Sequence, residues 1–169
     1  LFTPDCRFTD DTVLTVAVAE CLMDGRHYVD AFHDYFFAYP NAGYGYRFFH
    51  WASSRSRSPY NSWGNGSAMR VAPIGHAFDS LDQVLVHAAR SAEVTHNHPE
   101  GVKGAQATAA AVFMARSGES RSNMKRALEH MFGYDLGRRL DDIRPTHQFD
   151  ESCQGTVPLA LIAFLESTG

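Results

Sequence analysis

Residues 13–23 are apolar at nearly every position, interrupted only by Thr15 and Glu20. Thr9-Asp10-Asp11-Thr12 stands before this run with side chains suited to an N-cap, and Gly25 follows where a helix would stop. A segment that is apolar nearly all round predicts a helix enclosed by the core. Its β-branched residues would also suit a strand, but its length and its Ala-Glu-Cys-Leu-Met end favour the helix. A second helix is predicted over residues 28–39, stopped by Pro40, with a loop at Asn41-Ala42-Gly43-Tyr44-Gly45. Phe48, Phe49 and Trp51 open another apolar stretch. Residues 53–65, rich in Ser, Arg, Pro, Asn and Gly, predict a surface loop. Further helices are predicted at roughly 67–71, 81–91, 99–117, 122–132 and 156–167. No alternating apolar pattern is long enough for a sheet and no segment repeats, so the fold class is all-α.

Composition narrows the function classes. The chain has 169 residues, 44% hydrophobic and 12% aromatic, a size and content suited to one globular domain over residues 1–169 and incompatible with intrinsic disorder. The net charge is −4 and Lys and Arg form no long run, which argues against a sequence-specific nucleic-acid surface. Three cysteines, Cys6, Cys21 and Cys153, lie far apart without a CxxC spacing. They indicate neither a disulfide framework nor a cysteine zinc site, and point to a reducing, cytoplasmic setting. The 13–23 run is too short to span a bilayer and lacks the basic lead of a signal peptide. The chain opens on Leu1 rather than Met and reads as a piece of something longer.

Four polar segments stand out as candidate chemistry. The adjacent carboxylates of Asp10 and Asp11, flanked by hydroxyls at a helix start, suit a hard cation such as Mg²⁺, although simple helix capping explains them as well. Ser62-Trp63-Gly64-Asn65-Gly66-Ser67-Ala68-Met69-Arg70 has the glycines and small residues that let backbone N–H groups approach an anion, or that make an ordinary turn. Arg70 suits a phosphate or an acidic neighbour equally. Thr95-His96-Asn97-His98-Pro99-Glu100-Gly101 places Pro99 at a first helical position with His98 or Asn97 as its cap. Gly101, Ala105 and Thr108 then form a stripe of small residues, and His96 with His98 lacks a third ligand at zinc spacing. Asp150-Glu151-Ser152-Cys153-Gln154-Gly155-Thr156 is another glycine-containing helix entry, in which Cys153 has no histidine partner nearby in sequence.

In this order the segments FTDDT, PYNSWGNGSAMRVAPIG, SAEVTHNHPEGVKGAQATA and SCQGTVPLALIAFLES resemble the ADP-ribosylglycohydrolase family, the group that includes dinitrogenase-reductase-activating glycohydrolase. The resemblance covers residues 7–167. It implies a compact, orthogonal, all-α multi-helix fold and hydrolysis of the glycosidic bond between ADP-ribose and a protein side chain or small molecule, assisted by two Mg²⁺ or Mn²⁺ ions. It implies that Thr9, Asp10 and Asp11 ligate metal, and that Asp10 and Asp11 are catalytic. By the same resemblance Asn65, Gly66, Ser67 and Met69 lie by the phosphates and ribose, and Thr95 and His96 line the cleft. Gly43 and Gly45 approach the ligand, and Gln154 and Gly155 lie toward the adenosine.

Family members also carry an upstream Gly-Asp-x-x-Gly segment with a metal-binding Glu, and a later Gly-Gly-Asp-x-Asp-Thr segment that completes the metal site. Neither is within these 169 residues, so the resemblance implies a partial catalytic domain, truncated at both ends, with a weak metal site and an aggregation-prone surface. Two rivals remain at this point: a non-catalytic ADP-ribose-binding or crystallin-like structural relative, and an unrelated zinc hydrolase built on His96 and His98.

Overall fold

The computed structural model describes Thr3 and residues 5–167, and among these it is all-α. The helices are α1 (Asp10–Asp24), α2 (Tyr28–Ala38), α3 (Tyr46–Ser53), α4 (Ala72–Ala77), α5 (Leu81–Glu93), α6 (Pro99–Arg116), α7 (Arg121–Phe132), α8 (Leu140–Ile143) and α9 (Cys153–Glu166). Short 3₁₀ turns occupy Asn65–Ser67 and Arg144–Thr146. The β pairing among the described residues is limited to one isolated antiparallel bridge, Gly64 with Ser152.

Local signals account for most boundaries. Gly25 ends α1 at φ 68°, a left-handed conformation that glycine adopts without a Cβ penalty. His98 caps α6 with Nδ1 accepting from the Glu100 N–H at 3.1 Å, directly before Pro99. Ser152 caps α9 by accepting from Gly155 N at 3.0 Å, which starts that helix at Cys153 rather than at Thr156.

The helix predicted over 67–71 does not form. Pro73 sits in the first turn of α4, where its missing N–H costs nothing, so the helix begins at Ala72. The residues before it are held by tertiary bonds from Ser67 and Arg70 instead. The four-residue α8 was not anticipated, because one turn is too short to show a period.

α6 is the central element and packs against α4, α5, α7 and α9. Its buried positions are Gly101, Gly104, five alanines and Met114, small enough for neighbours to close in from several sides. A Cβ on Gly104 would lie 2.5 Å from the Cys153 Sγ, which is how close α9 comes. Ala105 and Ala109 face a core of α1 to α5 side chains including Leu14, Phe32, Phe36 and Trp51. Ala107, Ala110 and Met114 face a second core with α7 and α9, including Met124, Leu128 and Leu161.

Candidate active site

The start of α1, the 43–48 segment, the 62–66 turn and His96 surround an open cavity of about 530 Å³, within the range of small-molecule sites. Backbone contacts set this grouping. The Asp10 N–H donates to the Ala42 carbonyl at 2.8 Å, tying the acidic helix start to the loop that carries Gly43. Gly43 has φ 90°, which an L side chain would resist. The Thr15 hydroxyl donates to the Asp11 carbonyl at 2.6 Å and approaches the Met69 carbonyl at 3.4 Å. The Asn65 N–H donates to the Glu151 carbonyl at 2.7 Å and the Cys153 N–H to the Trp63 carbonyl at 2.8 Å, so the entry to α9 is sewn to the glycine turn.

Asp10 and Asp11 both line the cavity. Burial, and then the charge of Asp11, push the Asp10 carboxyl up to about 6. Among the described residues neither carboxylate has a salt-bridge partner, and Asp11 accepts only a hydrogen bond from the Thr9 hydroxyl at 2.9 Å. A pair of like charges without a neutralising cation suits a divalent ion of oxygen preference. The pair is only part of a ligand set, because no group of three or more His, Cys, Asp or Glu side chains is gathered in metal-binding reach among the described residues.

On the same cavity, Gly66 and Gly64 leave room for the imidazole of His96: a Cβ on either would lie 3.2 Å or 3.6 Å from Nε2. His96 is buried, and its Nδ1 is 2.7 Å from the Thr95 hydroxyl. Arg70 also lines this cavity but is fully buried. It donates to the Ser91 carbonyl at 2.8 Å and to Thr95 Oγ1 at 2.9 Å, with its guanidinium 4.3 Å from the centre of the Phe32 ring. Burial lowers its pKa to about 10, which leaves it charged at neutral pH.

The sequence profile of the ADP-ribosylglycohydrolase family matches residues 3–169. The chain belongs to that family. Curated relatives named ADP-ribosylhydrolase ARH3 match it from Bos taurus (34% identical over 146 residues, 75% of this chain) and Homo sapiens (34% over 145 residues, 73%). The protein of that name from Gallus gallus is 32% identical over 145 residues, 73% of this chain. The chain spans about 40% of the length of each of these three relatives.

Of the positions expected from the family resemblance, Asp10, Asp11, Gly43, Gly45, Asn65, Gly66, Met69 and His96 are brought to the one cavity. Thr9, Ser67 and Thr95 are not on its wall, and Thr9 is exposed. Thr9 braces Asp11, Ser67 is buried with its hydroxyl on the Gly101 carbonyl at 2.7 Å, and Thr95 is buried between Arg70 and His96. Gln154 and Gly155 line a different cavity of about 490 Å³, together with Arg138 and His147. The helix starts at Cys153 and turns them away from the acids. Gly155 is explained by its neighbour, since a Cβ there would meet the Asp150 carboxylate at 1.9 Å.

Cys153 is buried, its thiol on the Gly64 carbonyl at 3.1 Å, and burial raises its pKa, as befits a packing residue rather than a nucleophile. His98 is engaged as a helix cap and its ring meets the edge of Trp63, so the two histidines do not share a ligand role.

The sequence reading missed Tyr46, Arg47, Tyr60, Phe149 and Glu151, all on the cavity wall. Arg47 donates to the Tyr60 carbonyl and lies over the Tyr60 ring, placing a cation on the cavity wall. Phe149 and Tyr46 are 87% and 78% exposed at the mouth. The only available signal was an aromatic residue inside an otherwise polar run, as in His147-Gln148-Phe149-Asp150-Glu151.

Proposed function

We propose that this chain carries part of the active site of a hydrolase that cleaves the glycosidic bond between ADP-ribose and a modified protein side chain or small molecule. One observation carries the reading: the acidic pair, the glycine turn and His96 face a single cavity although they lie up to 86 residues apart (96 − 10) in sequence. The relatives' name, ADP-ribosylhydrolase, agrees with it.

Each wall suits one part of ADP-ribose. Two of the turn's N–H groups are engaged internally, Gly64 on the Ser62 hydroxyl at 3.1 Å and Asn65 on the Glu151 carbonyl. We therefore assign Gly66 and the nearby Arg47 guanidinium to the pyrophosphate. The exposed faces of Phe149 and Tyr46 suit stacking on the base. We assign Asp10 and Asp11 to the distal ribose, with Thr9 orienting Asp11 through its hydrogen bond. As the leaving group departs, positive charge grows on the ribose ring, and carboxylates beside it lower its energy while one of them orients the attacking water. Mg²⁺ or Mn²⁺, two ions in the complete family site, would add charge and a template for the ribose hydroxyls. The donor set of Thr9, Asp10 and Asp11 fits such an ion but supplies only part of its shell.

None of the helices described is long and apolar enough to cross a membrane. The three cysteines are free, which suits a reducing compartment such as the cytoplasm.

Calorimetric titration of ADP-ribose into the chain tests the reading. We expect binding that strengthens with Mg²⁺ and is lost in Asp10→Asn, and in the complete protein we expect that variant to lose ADP-ribose release. Absence of binding, or binding and release indifferent to Asp10→Asn, would overturn it. Binding without turnover in the complete protein would favour a non-catalytic ADP-ribose binder.

A further inference from the structure

His96 reaches the cavity through Nε2, and the tautomer of its ring decides whether that atom offers a proton or accepts one. Two hydrogen bonds behind it bear on the choice. A guanidinium has donors only, so the Arg70–Thr95 contact of 2.9 Å makes Thr95 Oγ1 an acceptor. Thr95 is fully buried, so its hydroxyl proton needs an acceptor within the protein. With Arg70 donating to the oxygen, the acceptor in reach is His96 Nδ1 at 2.7 Å.

We propose that Arg70 and Thr95 are positioning residues which lock His96 in the neutral tautomer with its proton on Nε2, so that the cavity is presented with a hydrogen-bond donor. Geometry on the other side agrees. Nε2 faces Gly64 and Gly66, where no side chain intervenes, and the ring is braced by the Tyr60 ring at 5.8 Å. Arg70 supplies its cation without a carboxylate partner among the described residues; its Nε and Nη1 have no hydrogen-bond acceptor and its charge rests on the Phe32 ring. An uncompensated buried cation is a costly device for packing alone. It is a sound device for keeping the adjacent imidazole neutral, and burial together with the charges of Arg70 and Arg47 holds the His96 pKa well below its usual value. A donor that stays neutral suits a ribose or phosphate oxygen without adding charge to a cavity that also holds two carboxylates.

The identity of the oxygen that accepts this bond rests on the ADP-ribose reading above; the tautomer does not. Nitrogen–proton correlation spectra of the imidazole rings in the ligand-free chain read the tautomer directly. We expect His96 with the proton on Nε2 in the wild type and in Thr95→Ser, and loss of that preference in Thr95→Val. Calorimetry with ADP-ribose should show affinity about tenfold weaker in Thr95→Val and within about twofold of wild type in Thr95→Ser, the range expected for one hydrogen bond. A wild-type ring protonated on Nδ1 or on both nitrogens, or a tautomer unchanged in Thr95→Val, would overturn the proposal. Should Thr95→Val fail to fold, the wild-type and Thr95→Ser spectra still decide it. A wild-type chain with the expected tautomer that ignores ADP-ribose would refute the ligand reading and leave the relay standing.

Discussion

Replacing Asp10 by Asn should make the chain more stable while removing its proposed function. The carboxyl rises from 3.8 to about 6 on folding, chiefly because burial strips its water and then because Asp11 repels it. A rise of that size corresponds to about 3 kcal/mol against the charged form. Asp10 is half-buried, so solvent screening reduces the figure to about 1–2 kcal/mol. The sign follows from proton binding. The folded state holds the proton more tightly than the unfolded chain, so this contribution to stability is full below about pH 3.8 and is lost as pH rises through about 6. Asn has the same shape and no charge, so near neutral pH the variant should melt about 2–8 °C above wild type. Circular dichroism melts across the acid range check this, since the advantage should vanish below about pH 4 as Asp10 protonates. Mg²⁺ should narrow the gap by stabilising wild type but not the variant. A variant no more stable than wild type near neutrality, or an advantage that persists in acid, would refute this account of the acidic pair.

Three other perturbations probe the walls. Gly101→Ala would place a methyl carbon 2.6 Å from the Ser62 carbonyl and 2.9 Å from the His96 carbonyl, both backbone. Urea unfolding should show a loss of about 1–3 kcal/mol, whereas Gly45→Ala, with nothing within 4 Å, should be neutral. Gln154→Ala should leave ADP-ribose affinity within about twofold of wild type, because its side chain belongs to the second cavity; a larger loss by calorimetry would return Gln154 to the ligand. Iodoacetamide should modify exposed Cys6, whose pKa is lowered by hydrogen bonds from Thr3, well before Cys21 or Cys153, both buried with raised pKa values. Mass spectrometry showing Cys153 labelled alongside Cys6 in the native chain would contradict the packing role given to it.

The helices were legible because their determinants are neighbours in sequence. Gly25 after an apolar run and Pro99 after a capping histidine each act within one turn, through one backbone group or one side chain, whereas the Ser152 cap starts α9 three residues before the predicted 156. The acidic pair, the glycine turn and His96 were legible as a set because their order resembles a known family, while their meeting in one cavity is a fact of the fold. Tertiary structure alone decided the rest. Arg70 suits a phosphate or an acidic neighbour equally in the sequence, yet it is buried with partners 21 and 25 residues away, the Ser91 carbonyl and the Thr95 hydroxyl. Gln154 shares a motif with cavity residues but faces elsewhere, since a helix turns successive side chains by about 100° and the start of α9 fixes the phase. Sequence determines which conformations each short stretch prefers. Which polar groups lose their water, and against whom, depends on contacts between distant stretches, and those contacts set the pKa of Asp10 and point to the proton position on His96.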